Sequence, residues 1–380
     1  MLCLSFMLLV ITSCEDDTDI MRLLVYDQEQ DSYTFKEVEL TTLNDVHTLE
    51  GEATELKGGA SMTINYETGY LKWHSEGTKV AFSAIEGEGG VLIPEDYHSL
   101  AMASTYYNFE LSRLFFLELG IPEDMLDRLT TYYWANITFV EQTGEKLHET
   151  DNAFFINIPG DMRAFFIMPF SSFQWIPMPL NSGIITHEYT HMVFDKLFPE
   201  ASTELSDSGS NFLLAINEGT SDYMAVSRTG DPDFMEHSVA YNTFKTESCS
   251  GLQSKELVRN ASDLIIYTSE LEFEALNRDY MGFVACRYEI GAFWSAMMYE
   301  IARKLDSSGA DIPSKQFRVS VAKWLLGSLL DLSRTIEYDF DIVDAVNHFV
   351  ARIKGPSDKK IVCSVIKKRF SYRFSEVEGC

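Results

Sequence analysis

Two short motifs constrain this chain more than its length does. They are His187-Glu188-Tyr189-Thr190-His191 and Asn217-Glu218-Gly219-Thr220-Ser221-Asp222. Positions i and i+4 share a face only on a helix, so both imidazoles of the first motif can reach one ion if residues 182–198 are helical. The apolar Ile184, Ile185, Val193 and Leu197 would then face a core. The second motif falls in a predicted helix over 211–227, where Glu218 offers a third ligand. A His₂Glu set suits one zinc ion per chain and leaves one coordination position open. Asp222 lies at i+4 from Glu218 and so faces the same way. It can accept the remaining N–H of a ligating histidine, His187 in the simplest arrangement. Glu188, beside the ligands, can take a proton from an attacking water. Either motif alone fits a solvated helix face; both together, in this order and on helices, favour a site.

The rest of the chain supplies the frame. Residues 21–26, 61–66 and 79–82 read as strands, being short runs rich in β-branched and aromatic residues between turn formers. Helical spacing of Leu100, Tyr107, Leu111, Leu114, Phe115 and Leu119 predicts a helix over 97–119, stopped at Gly120-Ile121-Pro122. Strands are expected at 137–140, 153–158 and 164–168, and further helices over 283–304, 315–331 and 341–353. The stretch 228–282, with His237, Tyr241 and Tyr267, reads as loop-rich. The expected class is α+β: a mixed sheet with the first motif's helix, then a mainly helical half, preceded by a small β region. The expected units are 1–13 (signal peptide), 14–20 (tether), 21–95 (N-terminal β region), 96–205 (with the first motif) and 206–380 (helical, with the third ligand).

HEYTH followed by NEGTSD resembles the gluzincin zinc metallopeptidases, nearest the thermolysin and fungalysin branches. The resemblance implies a zincin-like fold and a peptidase in which His187, His191 and Glu218 hold zinc and Glu188 is the general base. It extends to Asp151-Asn152-Ala153-Phe154-Phe155, similar to the edge strand with which these enzymes pair a substrate backbone. Asn152 and Ala153 would then contact substrate. Tyr288-Glu289-Ile290-Gly291-Ala292-Phe293-Trp294 resembles a fungalysin helix that begins with histidine. Tyr288 takes that histidine's place, either as a hydrogen-bond donor to the oxyanion or as a packed aromatic. The resemblance spans roughly residues 97–304, is weak from 305 to 380, and is absent from 20 to 95. The roughly 80 residues ahead of it leave no room for a large inhibitory prodomain.

Charge and cysteines set the surroundings. With 58 acidic and 30 basic side chains the formal net charge is −28, which argues against nucleic acid as a partner and reads as solubility. Calcium suits so acidic a chain, yet no loop has EF-hand spacing. His47, His74, His98, His148 and His348 show no ligand spacing, and no phosphate loop or GxSxG elbow occurs. Residues 1–13 are uncharged and mostly apolar, as in a secretory signal. They lead into Ile11-Thr12-Ser13-Cys14, which resembles the lipobox of bacterial lipoproteins, and an acidic tether follows. The expectation is lipidation of Cys14 and an extracytoplasmic protein on a bacterial outer membrane or cell surface. Cys249, Cys286, Cys363 and Cys380 then allow three pairings, of which 249–286 with 363–380 is the simplest. The expected function is hydrolysis of peptide or protein substrates, as an endopeptidase. The competing expectation is a surface lipoprotein with a weak or dead site that acts in binding.

Overall fold

The computed structural model describes residues 19–65, 70–140, 146–148, 150–158, 160, 162–170, 175–199, 205–238, 260–277 and 284–380, without the side chains of 284–286. Cys3, Cys14, Tyr241 and Cys249 lie outside them. The first part is all strand: β1 (Asp19–Asp27), β2 (Ser32–Leu40), β3 (Leu43–Asp45), β4 (Glu50–Gly51), β5 (Thr54–Asn65), β6 (Leu71–Lys79), β7 (Ala84–Glu86) and β8 (Leu92–Pro94). Helix α1 (Tyr97–Leu119) follows, then β9 (Leu129–Tyr133), β10 (Asn136–Val140), β11 (Lys146–His148), β12 (Ala153–Ile158) and β13 (Met162–Ile167). The remainder is helical: α2 (Ser182–Leu197), α3 (Asp207–Thr229), α4 (Ser269–Asn277), α5 (Val284–Leu305), α6 (Lys315–Leu332), α7 (Ile342–Arg352) and α8 (Pro356–Arg369). The class is α+β with mixed sheets, as the sequence indicates.

Helix α1 has the predicted bounds because its ends are chemically marked. The Asp96 side chain accepts from Ser99 N at 2.7 Å. At the other end Gly120 adopts φ 94°, and Gly120 N and Ile121 N close onto the carbonyls of Leu117 and Phe116. Several expected elements shift. Val80–Phe82 is not strand, since β6 ends at Lys79. Helices α4 and α8 form where the sequence reading placed none.

The N-terminal stretch divides between two sheets: β1, β2, β7 and β8 form a four-stranded sheet of order β2-β1-β8-β7, while β3 to β6 belong to the larger central sheet. β5 runs parallel to β9 through residues 54–58 and parallel to β10 through 61–65, with β6 antiparallel on its other side. The central sheet therefore draws strands from both sides of residue 95. β13 pairs with β9, and β12 completes that side as an edge. Alternation puts neighbouring residues on opposite faces. Tyr133 and Phe165 enter the main core, while Tyr132 and Phe166 stack in a second apolar cluster. On the main face Phe109 of α1 meets Phe165 at 4.7 Å, and Tyr189 of α2 stacks on both Phe165 and Phe116. Tyr189, the middle of HEYTH, is thus a core residue that seats the motif on the sheet.

The β1–β2 hairpin is tied to the helical half. Arg318, 1% exposed, donates to Gln28 Oε1, Ser227 O and Pro313 O. His237 packs against the Tyr26 and Tyr33 rings, with Nε2 3.2 Å from Asp231 Oδ2. That carboxylate holds the imidazole pKa above its ordinary value, against the opposing effect of burial; Asp233 and Asp31 add to the rise. A raised histidine stabilises the fold fully below its unfolded pKa of about 6.5, and the contribution is lost as pH rises through the folded value. Thermal melts should therefore fall with pH just above 6.5, and His237→Gln should flatten that fall; an unchanged slope in the variant rejects the linkage. Cys363 and Cys380 form a disulfide that pins the C-terminus to α8.

Candidate active site

Helix α2 starts where Asn181 caps it, its Oδ1 accepting from Gly183 N and Ile184 N at 2.9 and 3.1 Å. The same amide donates to Phe234 O and Ser238 Oγ, both at 2.7 Å, so the cap is fixed by the loop after α3. Helix α3 is capped by Ser206 and ends at Gly230 in a left-handed conformation. From its last turn Arg228 donates to Ser182 O and Thr186 Oγ1, tying it to the first turns of α2. The sequence reading assigned Arg228 no role.

These two helices bring His187, His191, Glu218 and Asp222 together. The Nε2 atoms of His187 and His191 lie 2.9 Å apart, and Glu218 Oε2 lies 3.5 and 3.9 Å from them. The outer nitrogens are also engaged. Asp222 Oδ1 lies 2.9 Å from His187 Nδ1, while Asn217 Oδ1 and Ser221 Oγ lie 2.9 and 3.2 Å from His191 Nδ1. Asn217 and Ser221 had no assigned role; their signal is their position on α3 beside Glu218. Burial, reinforced by His187, pushes the His191 pKa down to about 4, so its ring is neutral at physiological pH.

This donor set fits zinc. In the tautomers in which Asp222 and Asn217 accept from the Nδ1–H groups, the two Nε2 lone pairs face each other at 2.9 Å, an arrangement that a cation between them relieves. Tetrahedral zinc with bonds of about 2.0–2.2 Å needs donor atoms roughly 3.3–3.5 Å apart, and the observed separations bracket that value.

Glu188 faces the same space, its carboxylate grouped with both imidazoles within 4.8 Å. Glu188 Oε2 accepts from Phe155 N of β12 at 2.9 Å. Met168 N donates to Asn152 O, so alternate residues of β12 bond inward to β13. Ala153, Phe155 and Asn157 accordingly turn their backbone groups to the open edge beside α2. Asn152 and Ala153 sit where that edge begins. Asn157 Nδ2 reaches both oxygens of Asp195 on α2 at 2.9 and 3.0 Å, fixing the spacing between edge and helix.

Tyr288 lies in the first turns of α5, which crosses α3 at Gly219 and Gly291. It reaches the site through Arg287, another residue the sequence reading passed over. Arg287 Nε is 3.4 Å from Glu218 Oε1, and its Nη2 donates to the Tyr288 hydroxyl at 2.8 Å. Of the other unplaced candidates, Tyr267 is buried against Phe293 and Phe370, and His237 packs on the hairpin.

The chain matches the sequence profile described as Fungalysin metallopeptidase (M36) over residues 133–323, 191 of its 380 residues. No curated protein matches it. A solved structure, the precursor of protealysin, a metalloproteinase from Serratia proteamaculans, aligns at 12% identity and a TM-score of 0.43. That alignment covers 88% of this chain and 92% of the other.

Proposed function

We propose that this chain, which belongs to the fungalysin metallopeptidase family, is an extracytoplasmic endopeptidase with His187, His191 and Glu218 as zinc ligands and Glu188 as general base. That it is a zinc metallopeptidase follows from the family; the residue roles, the cleavage mode and the location are the proposal. The observation that carries it is the convergence of His187 Nε2, His191 Nε2 and Glu218 Oε2 within 2.9–3.9 Å, beside a glutamate bonded to an open strand edge.

Zinc bound here supplies Lewis-acid polarisation of the scissile carbonyl and of the attacking water. A substrate backbone pairs with the edge of β12 near Asn152 and Ala153, a mode that reads main chain and suits internal peptide bonds. Glu188 takes the water's proton and delivers it to the leaving amine. Asp222 and Asn217 hold the imidazole tautomers, and Tyr288 offers a hydrogen bond to the developing oxyanion. Support for the location is Ile11-Thr12-Ser13-Cys14 with its acidic tether.

The test is zinc content and hydrolysis of an internally quenched peptide by residues 20–380. One zinc per chain is expected. Chelation should abolish internal cleavage, and one equivalent of zinc should restore it. Mass spectrometry of the native protein should find a lipid on Cys14. Tyr at position 288 favours the second reading, a binding lipoprotein with a weak site. Bound zinc without cleavage of any peptide library would support that reading, and a chain that binds no zinc would remove both.

A further inference from the structure

Arg287 is the cation that the mechanism above leaves unused, and it lies in the wall of the site. Its Nε is 3.4 Å from Glu218 Oε1, its Nη2 donates to the Tyr288 hydroxyl at 2.8 Å, and its guanidinium carbon stands 4.8 Å from the Tyr288 ring centroid. Successive helix residues point about 100° apart, so this contact requires the guanidinium to fold back across the ring. Both side chains of the Arg287–Glu218 pair are largely buried, at 21% and 10% exposure. A planar guanidinium can hold two partners at fixed angles where an ammonium group cannot.

The consequence lies in the direction of one proton. A phenol has a single proton and two lone pairs. When a lone pair accepts from Arg287, the phenol proton must point away from the guanidinium, and the charge-assisted bond polarises it for donation. We propose that Arg287 is a positioning residue that anchors on Glu218 and presents the Tyr288 hydroxyl as a hydrogen-bond donor to the oxyanion. A neutral tyrosine thus serves through an adjacent fixed cation. The inference rests on the peptidase reading and deepens it.

The test is a double-mutant cycle on the full zinc-loaded chain with one quenched peptide. It compares wild type, Arg287→Met, Arg287→Lys, Tyr288→Phe and Arg287→Met/Tyr288→Phe, with zinc content and melting recorded for each. Arg287→Met and Tyr288→Phe should each lower kcat by about 10²- to 10³-fold, the loss of one oriented oxyanion donor, with KM nearly unchanged. Zinc should stay at one per chain. The double variant should be no worse than either single one, because Arg287 acts only through Tyr288. Arg287→Lys should fail to rescue, since it restores charge and not the fork; Arg287→Gln replaces Met if that variant does not fold. Additive losses, rescue by lysine, or zinc loss on changing Arg287 would each show that it merely balances Glu218 and would overturn the inference. Wild-type kcat in the Arg287 variants would do the same while leaving the peptidase reading standing. An inactive wild type removes that reading, and this inference with it.

Discussion

Replacing Glu188 with glutamine is expected to lower kcat/KM by about 10²- to 10⁴-fold, the span of general acid–base catalysis, while the chain keeps its zinc. The amide is nearly isosteric and its oxygen can still accept from Phe155 N, so the edge strand and α2 should stay as they are. What is lost is a base: an amide takes no proton from water and has none to return to the amine. Glu188 is 8% exposed and sits beside both imidazoles, so bulk water does not readily substitute for it. The measurement is steady-state hydrolysis with zinc content and melting temperature on the same preparation. Activity within tenfold of wild type, with zinc bound, would sink the general-base assignment.

Gly219→Ala should be the most damaging small substitution near the site. An added Cβ would lie 2.3 Å from Gly291 O and 2.8 Å from Trp294 Cβ. The first neighbour is backbone and the second belongs to a fully buried tryptophan, so neither can move aside cheaply. The helices α3 and α5 must separate, at a cost of about 3 kcal/mol, the upper end for overpacking. Glu218 is the preceding residue, so the separation also moves the third proposed ligand. Gly291→Ala meets Gly219 N, Ala215 O and Glu218 Cβ at 2.9–3.0 Å and should cost less. Chemical denaturation with zinc titration decides the matter: unchanged stability and zinc affinity in Gly219→Ala would mean that this crossing is not rigid.

These two glycines also show what the sequence disclosed. HEYTH and NEGTSD pointed to His187, Glu188, His191, Glu218 and Asp222, which the structure brings together, because the spacing on a helix dictates which side chains share a face. The ends of α1 were legible in Asp96 and Gly120 because caps are local chemistry. Arg287 was not legible, since its ion-pair partner Glu218 lies on another helix and no spacing relates the two. Helix α8 does carry a signal, Val362, Val365 and Ile366 on one face after Pro356, but eight charged or hydroxyl residues within Pro356–Arg369 obscure it. The place of β5 was beyond reach for another reason. Parallel pairing between residues 54–65 and strands near 130–140 is non-local, and nothing in either segment names the other.

That place of β5 limits how such a chain could be switched on. Many latent hydrolases are activated by cutting away an N-terminal piece. Here a cut near residue 95 would free no piece, because β5 would remain paired along its length with β9 and β10, which lie beyond the cut. The two fragments would behave as halves of one folded body, held together without a covalent link and able to reconstitute each other when mixed. Separating them would take denaturant, and the C-terminal fragment alone would carry HEYTH on a helix with no finished sheet beneath it.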